Sequence, residues 1–279
     1  MQVGVGLPNT VPGTPGSLML DWARRADAGP FTSLGVLDRV VYDSYEPMTA
    51  LAAAAGVTNR VRLVSMAVIG PLRNAALLAK EAATIDALSD GRMTLGVTIG
   101  AREDDYEAAE VDSRKRGRLM SHALSTLRAT WASVAIGPAG RAGAPELLVG
   151  GLHDAAFVRM AEHADGYVHN GGPPRAFAKA ADKARAAWQA AGREGQPRLW
   201  GQSYFTLTDP QAGADYLKDY YAFTGAFAEK IAAGLLTTPE AIRDHLKGYA
   251  DAGCDEIVLL PVLPDRSELD RLADVVSQL

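Results

Sequence analysis

Few side chains in this 279-residue chain are placed to do chemistry, and their spacing narrows which chemistry it is. The five histidines are His122, His153, His163, His169 and His245, and the single cysteine is Cys254. They form no H-E-x-x-H pair and no Cys/His set, so a metal site has little to build on. Ser65 and Ser203 lack a G-x-S-x-G context, which disfavours a serine hydrolase. His163 and His245 fall inside helical patterns and read as structural. His169 ends a strand-like run beside Asn170-Gly171-Gly172. It is therefore the histidine to place in a cleft, as an acid–base group. Arg114, Lys115, Arg116 and Arg118 follow the acidic run Glu103–Asp112 and read as local charge pairing.

Two glycine-bearing stretches invite an anion-binding reading. In "LSDGRMTLGVTIGAR", Leu88 to Arg102, the glycines follow G-x-x-x-G and no apolar helix starts at once. A dinucleotide loop needs G-x-G-x-x-G opening a helix, so that reading is rejected. In "LLVGGLHDAAFVRMA" a strand ends in Gly150-Gly151 and a helix begins near His153 or Asp154. Amides at a helix N-terminus bind anions, and glycines let a phosphate approach the backbone. A tight turn with no ligand fits the same residues.

The elements that must position these groups follow from apolar patterning. Strand-like runs occur at Val3–Leu7, Ser33–Leu37, Val61–Met66, Met93–Thr98, Glu146–Gly150, Gly166–His169, Leu199–Phe205 and Glu256–Leu260. Most are continuously apolar, as parallel strands covered on both faces should be. Helical stripes lie between them, such as Leu78, Ala82, Ile85 and Leu88. "TTPEAI" opens a helix with a Thr cap and Pro239, and Ser89–Gly91 ends one. Gln211–Leu236 fits two helices or one broken helix. About eight alternating strand–helix units favour one (β/α)8 TIM barrel spanning 1–279 over a doubly wound open sheet. The loose stretch Ile136–Pro145 is too short for a linker between domains. In a barrel, chemistry belongs at the strand C-termini. That selects Asn9, Asp38, Arg39, 65–69, 99–102, Gly150, Gly151, 169–172 and 261–263. The loop Pro8–Gly16 should wall or cover the same face.

Composition agrees with this picture. Net charge is -5, which argues against nucleic acid as a partner. No apolar run reaches membrane-spanning length, and the start resembles no secretory signal. One cysteine forbids an internal disulfide and suits a reducing, cytoplasmic setting.

The chain from Gly35 through "LDRVVYDSYEPMTALAAAAGVTNRVRLVSMAVIGPLRNAALLAKEAATIDALSDGRMTLGVTIG" resembles the core of the bacterial luciferase-like flavin and deazaflavin oxidoreductases. "PELLVGG", "AEHADGYVHNG" and "TTPEAIRDHLKGYADAGCDEIVLLPV" extend the resemblance over nearly the whole chain. It implies a (β/α)8 barrel holding a flavin-type ring at its C-terminal mouth, with a small organic substrate. The wording is most like members using the 5-deazaflavin coenzyme F420 for hydride transfer. FMN-dependent oxygen activation is the alternative, and a non-catalytic flavin-binding protein a further one. A homodimer is implied as common among similar proteins.

By resemblance, Ser65, Met66, Ala67 and Val68 form a bulge under the ring, with a cis peptide at Met66–Ala67. Asp38 lies near the ring; His169, Asp38 or bound water is the candidate proton donor. Gly100, Ala101 and Arg102 touch the cofactor's side chain, Arg102 meeting its anionic tail. Gly150 and Gly151 make the phosphate contact, and Asn170 and Gly171 complete the cofactor set. Two departures stand out. Arg39 occupies the place of a usual histidine, and Ala101 that of a glutamate in some dehydrogenases. The short segment before Pro145 implies an open cleft, or one closed by a partner subunit.

Overall fold

The computed structural model describes residues 1–133, 137–138 and 143–279. Part of the loose stretch Ile136–Pro145 lies outside these described residues. The strands are β1 (Gln2–Gly6), β2 (Ser33–Val36), β3 (Arg62–Ser65), β4 (Val68–Ile69), β5 (Met93–Thr98), β6 (Glu146–Gly150), β7 (Gly166–Val168), β8 (Arg198–Phe205) and β9 (Glu256–Pro261). Neighbours run parallel in the order β3-β2-β1-β9-β8-β7-β6-β5-β4. β3 and β4 are two halves of one barrel strand, interrupted at Met66 and Ala67, and both pair with β5. That pairing closes an eight-membered (β/α)8 barrel.

The helices are α1 (Gly16–Ala28), α2 (Pro47–Ala55), α3 (Ala75–Leu88), α4 (Glu103–Ala108), α5 (Arg116–Ala132), α6 (Asp154–His163), α7 (Pro174–Ala190), α8 (Pro210–Tyr220), α9 (Phe227–Ala232), α10 (Pro239–Asp251) and α11 (Arg266–Val276). The region Gln211–Leu236 thus holds two helices, with a 3-10 turn at Ala222–Thr224 between them. Among the described residues no helix is long and apolar enough to cross a membrane.

Successive strand residues alternate between two cores. Outward chains such as Leu34, Leu63, Leu95, Leu147, Leu199 and Leu259 meet the helices. Inward chains, including Val64, Leu148, Val168, Trp200 and Val258, fill the bore. The N-terminal end of the bore is polar. Arg62 donates to Thr94 Oγ1 at 2.6 Å and to Glu146 at 3.2 Å, and Thr32 Oγ1 donates to Glu256 at 2.6 Å.

Several recognisable motifs turn out to be structural. Asp86 accepts from Met93 N at 3.1 Å, which turns α3 into β5. Asp90 and Gly91 take the positive φ of 55° and 84° that this turn requires. Arg92 clamps the Val61 carbonyl at 2.6 Å and the Thr58 carbonyl at 2.8 Å. The helix-start signal at "TTPEAI" holds with Thr238 as the cap, donating no bond but accepting from Ala241 N at 3.1 Å.

Candidate active site

The C-terminal mouth gathers most of the residues selected from sequence. The peptide between Met66 and Ala67 is cis, as the resemblance implied. Behind this bulge, Asp38 Oδ2 accepts from Ile69 N at 2.8 Å and from Arg73 at 3.1 Å. Arg73 also donates to Glu46 at 2.8 Å, and Glu46 caps α2 through Thr49 N at 2.6 Å. The motif "D…EP…PLRN" is therefore one ion network that fixes the bulge. Burial pushes the Asp38 carboxyl above its ordinary pKa, against the pull of Arg73. Asp38 Oδ1 makes no hydrogen bond among the described residues.

The four bulge residues divide by direction. Met66 and Ala67 belong to the inner cluster, whereas Val68 packs in the outer one. Ser65 turns along the strand seam. Its hydroxyl donates to the Gly96 carbonyl at 2.8 Å and accepts from Gly96 N at 2.9 Å. A Cβ on Gly96 would lie 2.2 Å from the Ser65 carbonyl, so only glycine fits there. Gly100 has φ 69°, and a Cβ on it would meet Ile69 at 2.7 Å.

Arg102 and Arg39 are both held internally. Arg102 pairs with Asp104 and lies over the Phe223 ring, 4.6 Å from its centroid. Arg39 is buried and donates to the carbonyls of Tyr220 at 3.1 Å and Val41 at 2.9 Å. Its guanidinium lies over Tyr42 and Tyr220, at 4.6 and 4.9 Å. Asp105 stands between the two arginines, 3.7 Å from each Nε, and accepts from Val40 N and Val41 N. Arg39, where the resemblance implies a histidine, is thus a framework cation. Ala101 is exposed at the rim and brings no acid–base group.

On the β5–β6 side, a cavity of about 40 Å³ is lined by Ile99, Met120, Gly150, Gly151, His153 and Arg159, among others. It opens at the N-terminus of α6, where free amides and the helix dipole favour an anion. Arg159, which sequence reading passed over, supplies a cation there and is oriented by Ser121 Oγ at 2.9 Å. The basic cluster is partly accounted for by Asp112, which pairs with Arg114 at 3.0 Å and Lys115 at 3.5 Å. Asn170 is exposed, and its Oδ1 would stand 3.3 Å from a Cβ on Gly150. Gly171, with φ 93°, arches over the Gln202 backbone.

His169 is placed differently from the cleft expected for it. Val168 points into the bore, so Tyr167 and His169 point to the helices. Tyr167 hydroxyl lies 3.2 Å from His169 Nδ1, and the His169 ring meets Phe177 edge-on at 5.7 Å. Nε2 has no hydrogen-bond partner, although the Gly171 backbone lies near the ring. Burial lowers the His169 pKa to about 4, so the ring is neutral at pH 7. It extends an aromatic series through Phe157, Tyr167, Phe177, Tyr249 and His245. His245 Nε2 lies 2.6 Å from Ser203 Oγ, but the serine proton is directed to the Gln202 carbonyl at 2.7 Å. The pair is therefore no activated nucleophile. Cys254 is buried and its thiol is pushed up to about 12, which leaves it unreactive.

The mouth is covered, contrary to the open cleft expected from the short segment before Pro145. The cover comes from elsewhere, between β8 and α10. Tyr216 of α8 is 2.9 Å from Thr10 Oγ1, and Tyr42 donates to Asp219 at 2.6 Å. Tyr204 and Tyr221 hydroxyls lie 2.7 Å apart. Leu217, Tyr220 and Ala232 join the inner cluster directly. Aromatic density in "DYLKDYYAF" was the available signal for this cover, but helical periodicity alone does not say where such a helix docks. The Pro8–Gly16 loop is a wall rather than a lid. Asn9 is fully buried and exchanges two hydrogen bonds with the Leu37 backbone, at 2.8 and 3.1 Å.

These residues suit a planar heteroaromatic ring with an anionic tail. The bulge offers a flat backbone backing, the Gly150–Gly151 cavity an anion end, and buried Gln202 leaves its Oε1 unpaired. Among the described residues no group of three or more His, Cys, Asp or Glu could hold a metal.

An uncharacterised protein of Mycobacterium tuberculosis is 31% identical over 188 residues, covering 54% of this chain and 65% of that protein. The match to a second one covers 60% of its length, so the chain spans under two thirds of these curated relatives. A monooxygenase from Streptomyces bottropensis superposes with a TM-score of 0.79 at 21% identity, over 100% of this chain and 98% of that one. An F420-dependent secondary alcohol dehydrogenase, solved with an F420–acetone adduct, gives 0.79 at 16%, over 98% and 97%. At such identities the likeness speaks for the fold. The family model described as luciferase-like monooxygenase matches residues 1–254. With that match, the bulge and the closed barrel, the chain belongs to the luciferase-like monooxygenase family.

Proposed function

We propose that the chain is an F420-dependent oxidoreductase that moves hydride to or from a small organic substrate. The observation that carries this reading is the Met66–Ala67 bulge, anchored from behind by Asp38 and Arg73 at the mouth of an apolar bore. Such a backing holds one face of a ring and leaves the other for substrate. The bound coenzyme would supply the two-electron chemistry. The protein's contribution is then mainly positioning. That suits a mouth in which Arg39 stands where the resemblance implies a histidine and Ala101 where some dehydrogenases carry a glutamate. Ile99, Gly100, Gly150, Gly151 and Arg159 would receive the tail, with Asn170 and Gly171 along its path. Asp38 Oδ1 is the atom that would hold or move a proton, because it carries no hydrogen bond of its own and burial raises the carboxyl pKa above its ordinary value. A cytoplasmic setting and a homodimer belong to the same proposal.

The tyrosine-rich cover favours a second reading, FMN-dependent monooxygenation. A dry mouth protects oxygen-activating chemistry. Equilibrium titration of the purified chain with F420 and FMN, each oxidised and reduced, separates the two. Binding of F420 with turnover of ketones or alcohols supports the proposal. Tight binding of FMN alone overturns it, and saturable binding without turnover points to a flavin-binding protein without catalysis.

A further inference from the structure

Along β8, side chains alternate strictly. Leu199 and Phe205 pack in the outer cluster, a Cβ on Gly201 would meet the Tyr249 ring at 2.6 Å, and Ser203 meets His245. Trp200 and Tyr204 lie in the inner cluster, so Gln202 between them faces the bore. It is 4% exposed, and its carboxamide makes no hydrogen bond among the described residues. One level below, the Trp200 indole N–H is also buried without a partner. A buried carboxamide and a buried indole normally find partners. Here an unpaired acceptor and an unpaired donor share one strand face.

Apart from Asp38 Oδ1, the neighbouring polar groups of Asn9, Asp38, Tyr204 and Tyr221 at the mouth are already engaged. Asn9 serves Leu37, Asp38 Oδ2 serves Ile69 and Arg73, and the Tyr204 and Tyr221 hydroxyls serve each other. β8 stands four barrel strands from the interrupted strand β3–β4, directly across the bore. Gln202 therefore faces the bulge from the opposite wall.

We infer that Gln202 is a ligand-binding residue of the bore, its carboxamide pairing with a carbonyl, hydroxyl or N–H group of the molecule held against the bulge. Trp200 extends the same polar strip below it. Two sources share this chemistry: the amide-like edge of the cofactor ring, and the carbonyl or hydroxyl of a ketone or secondary alcohol substrate. The choice of these probes rests on the function proposed above.

The test compares wild type with Gln202→Met, which keeps length and removes the amide. Gln202→Leu repeats it if the first variant misfolds. Thermal unfolding without ligand should show the variant's Tm raised by about 2–4 °C, because an unpaired buried group is removed. Calorimetric titration with F420 and FMN, then of the loaded protein with cyclohexanone and cyclohexanol, locates the partner. A loss of about tenfold or more in the first step assigns the cofactor edge, and in the second the substrate. Affinities within twofold in both steps, or a lowered Tm in the variant, overturn the inference. If wild type binds neither cofactor, the proposed function fails, while the Tm comparison still decides whether the amide is unpaired.

Discussion

Asp38 uses one oxygen to hold the bulge and leaves the other without a hydrogen bond. The two jobs separate in Asp38→Asn, whose Oδ1 still accepts from Ile69 N. That variant should keep cofactor affinity within about threefold and lose about 100-fold in kcat, read by steady-state kinetics beside a binding titration. His169 gives the opposite expectation, because its ring faces the helices. His169→Phe should leave turnover within about twofold. It should also change the acid stability profile. The folded pKa of about 4 lies below the ordinary 6.5, so the unfolded chain binds the proton more readily. Stability from this group is present above pH 6.5 and lost as pH falls towards 4, at most about 1.4 kcal/mol per pH unit. The variant's urea midpoint should fall less over that window than the wild type's. Asp38 was legible because a strand-end position is set by sequence. The direction of His169 was not, because alternation fixes which residues share a face but not which face is the bore.

At the scale of elements, strand limits were read to within about two residues, since parallel buried strands write long apolar runs. The "IDALSDGR" motif was legible as a stop and turn, and Asp86 and Arg92 supply its physics. The α8–α9 cover was not legible. Its docking depends on tertiary partners such as Thr10 and Tyr42, far away in sequence. Those tethers make a prediction. Thr10→Val with Tyr42→Phe removes two hydrogen bonds to α8 and leaves the aromatic packing. Amide exchange over 210–236 should then speed up by about tenfold, while barrel-strand amides keep their protection. Uniform acceleration across the chain would show that the cover is not a separate unit.

For the whole molecule, the two ends of the barrel divide the labour. The N-terminal end carries charge for architecture, and the C-terminal end carries the site. Glu256 is fully buried at the former, accepts from Thr32, and has its pKa raised by burial above 4.5. Its contribution is largest below the ordinary carboxylate range and is lost as pH rises through the folded pKa. Glu256→Gln should therefore match or exceed wild-type Tm at pH 7.5, with the advantage shrinking in acid, as scanning calorimetry would show. The seam at the bulge has a wider consequence. Where β3 stops and β4 begins, one serine hydroxyl replaces the missing backbone rungs to Gly96 on both sides. Two backbone ladders close the hoop, and the gap between them is riveted by a single oxygen beside the surface proposed to hold the ring. Moving the bulge by one residue would carry Ser65 off Gly96 and leave the gap between the two ladders unbridged, so this chain retunes its site more readily by changing side chains around the break than by shifting the break itself.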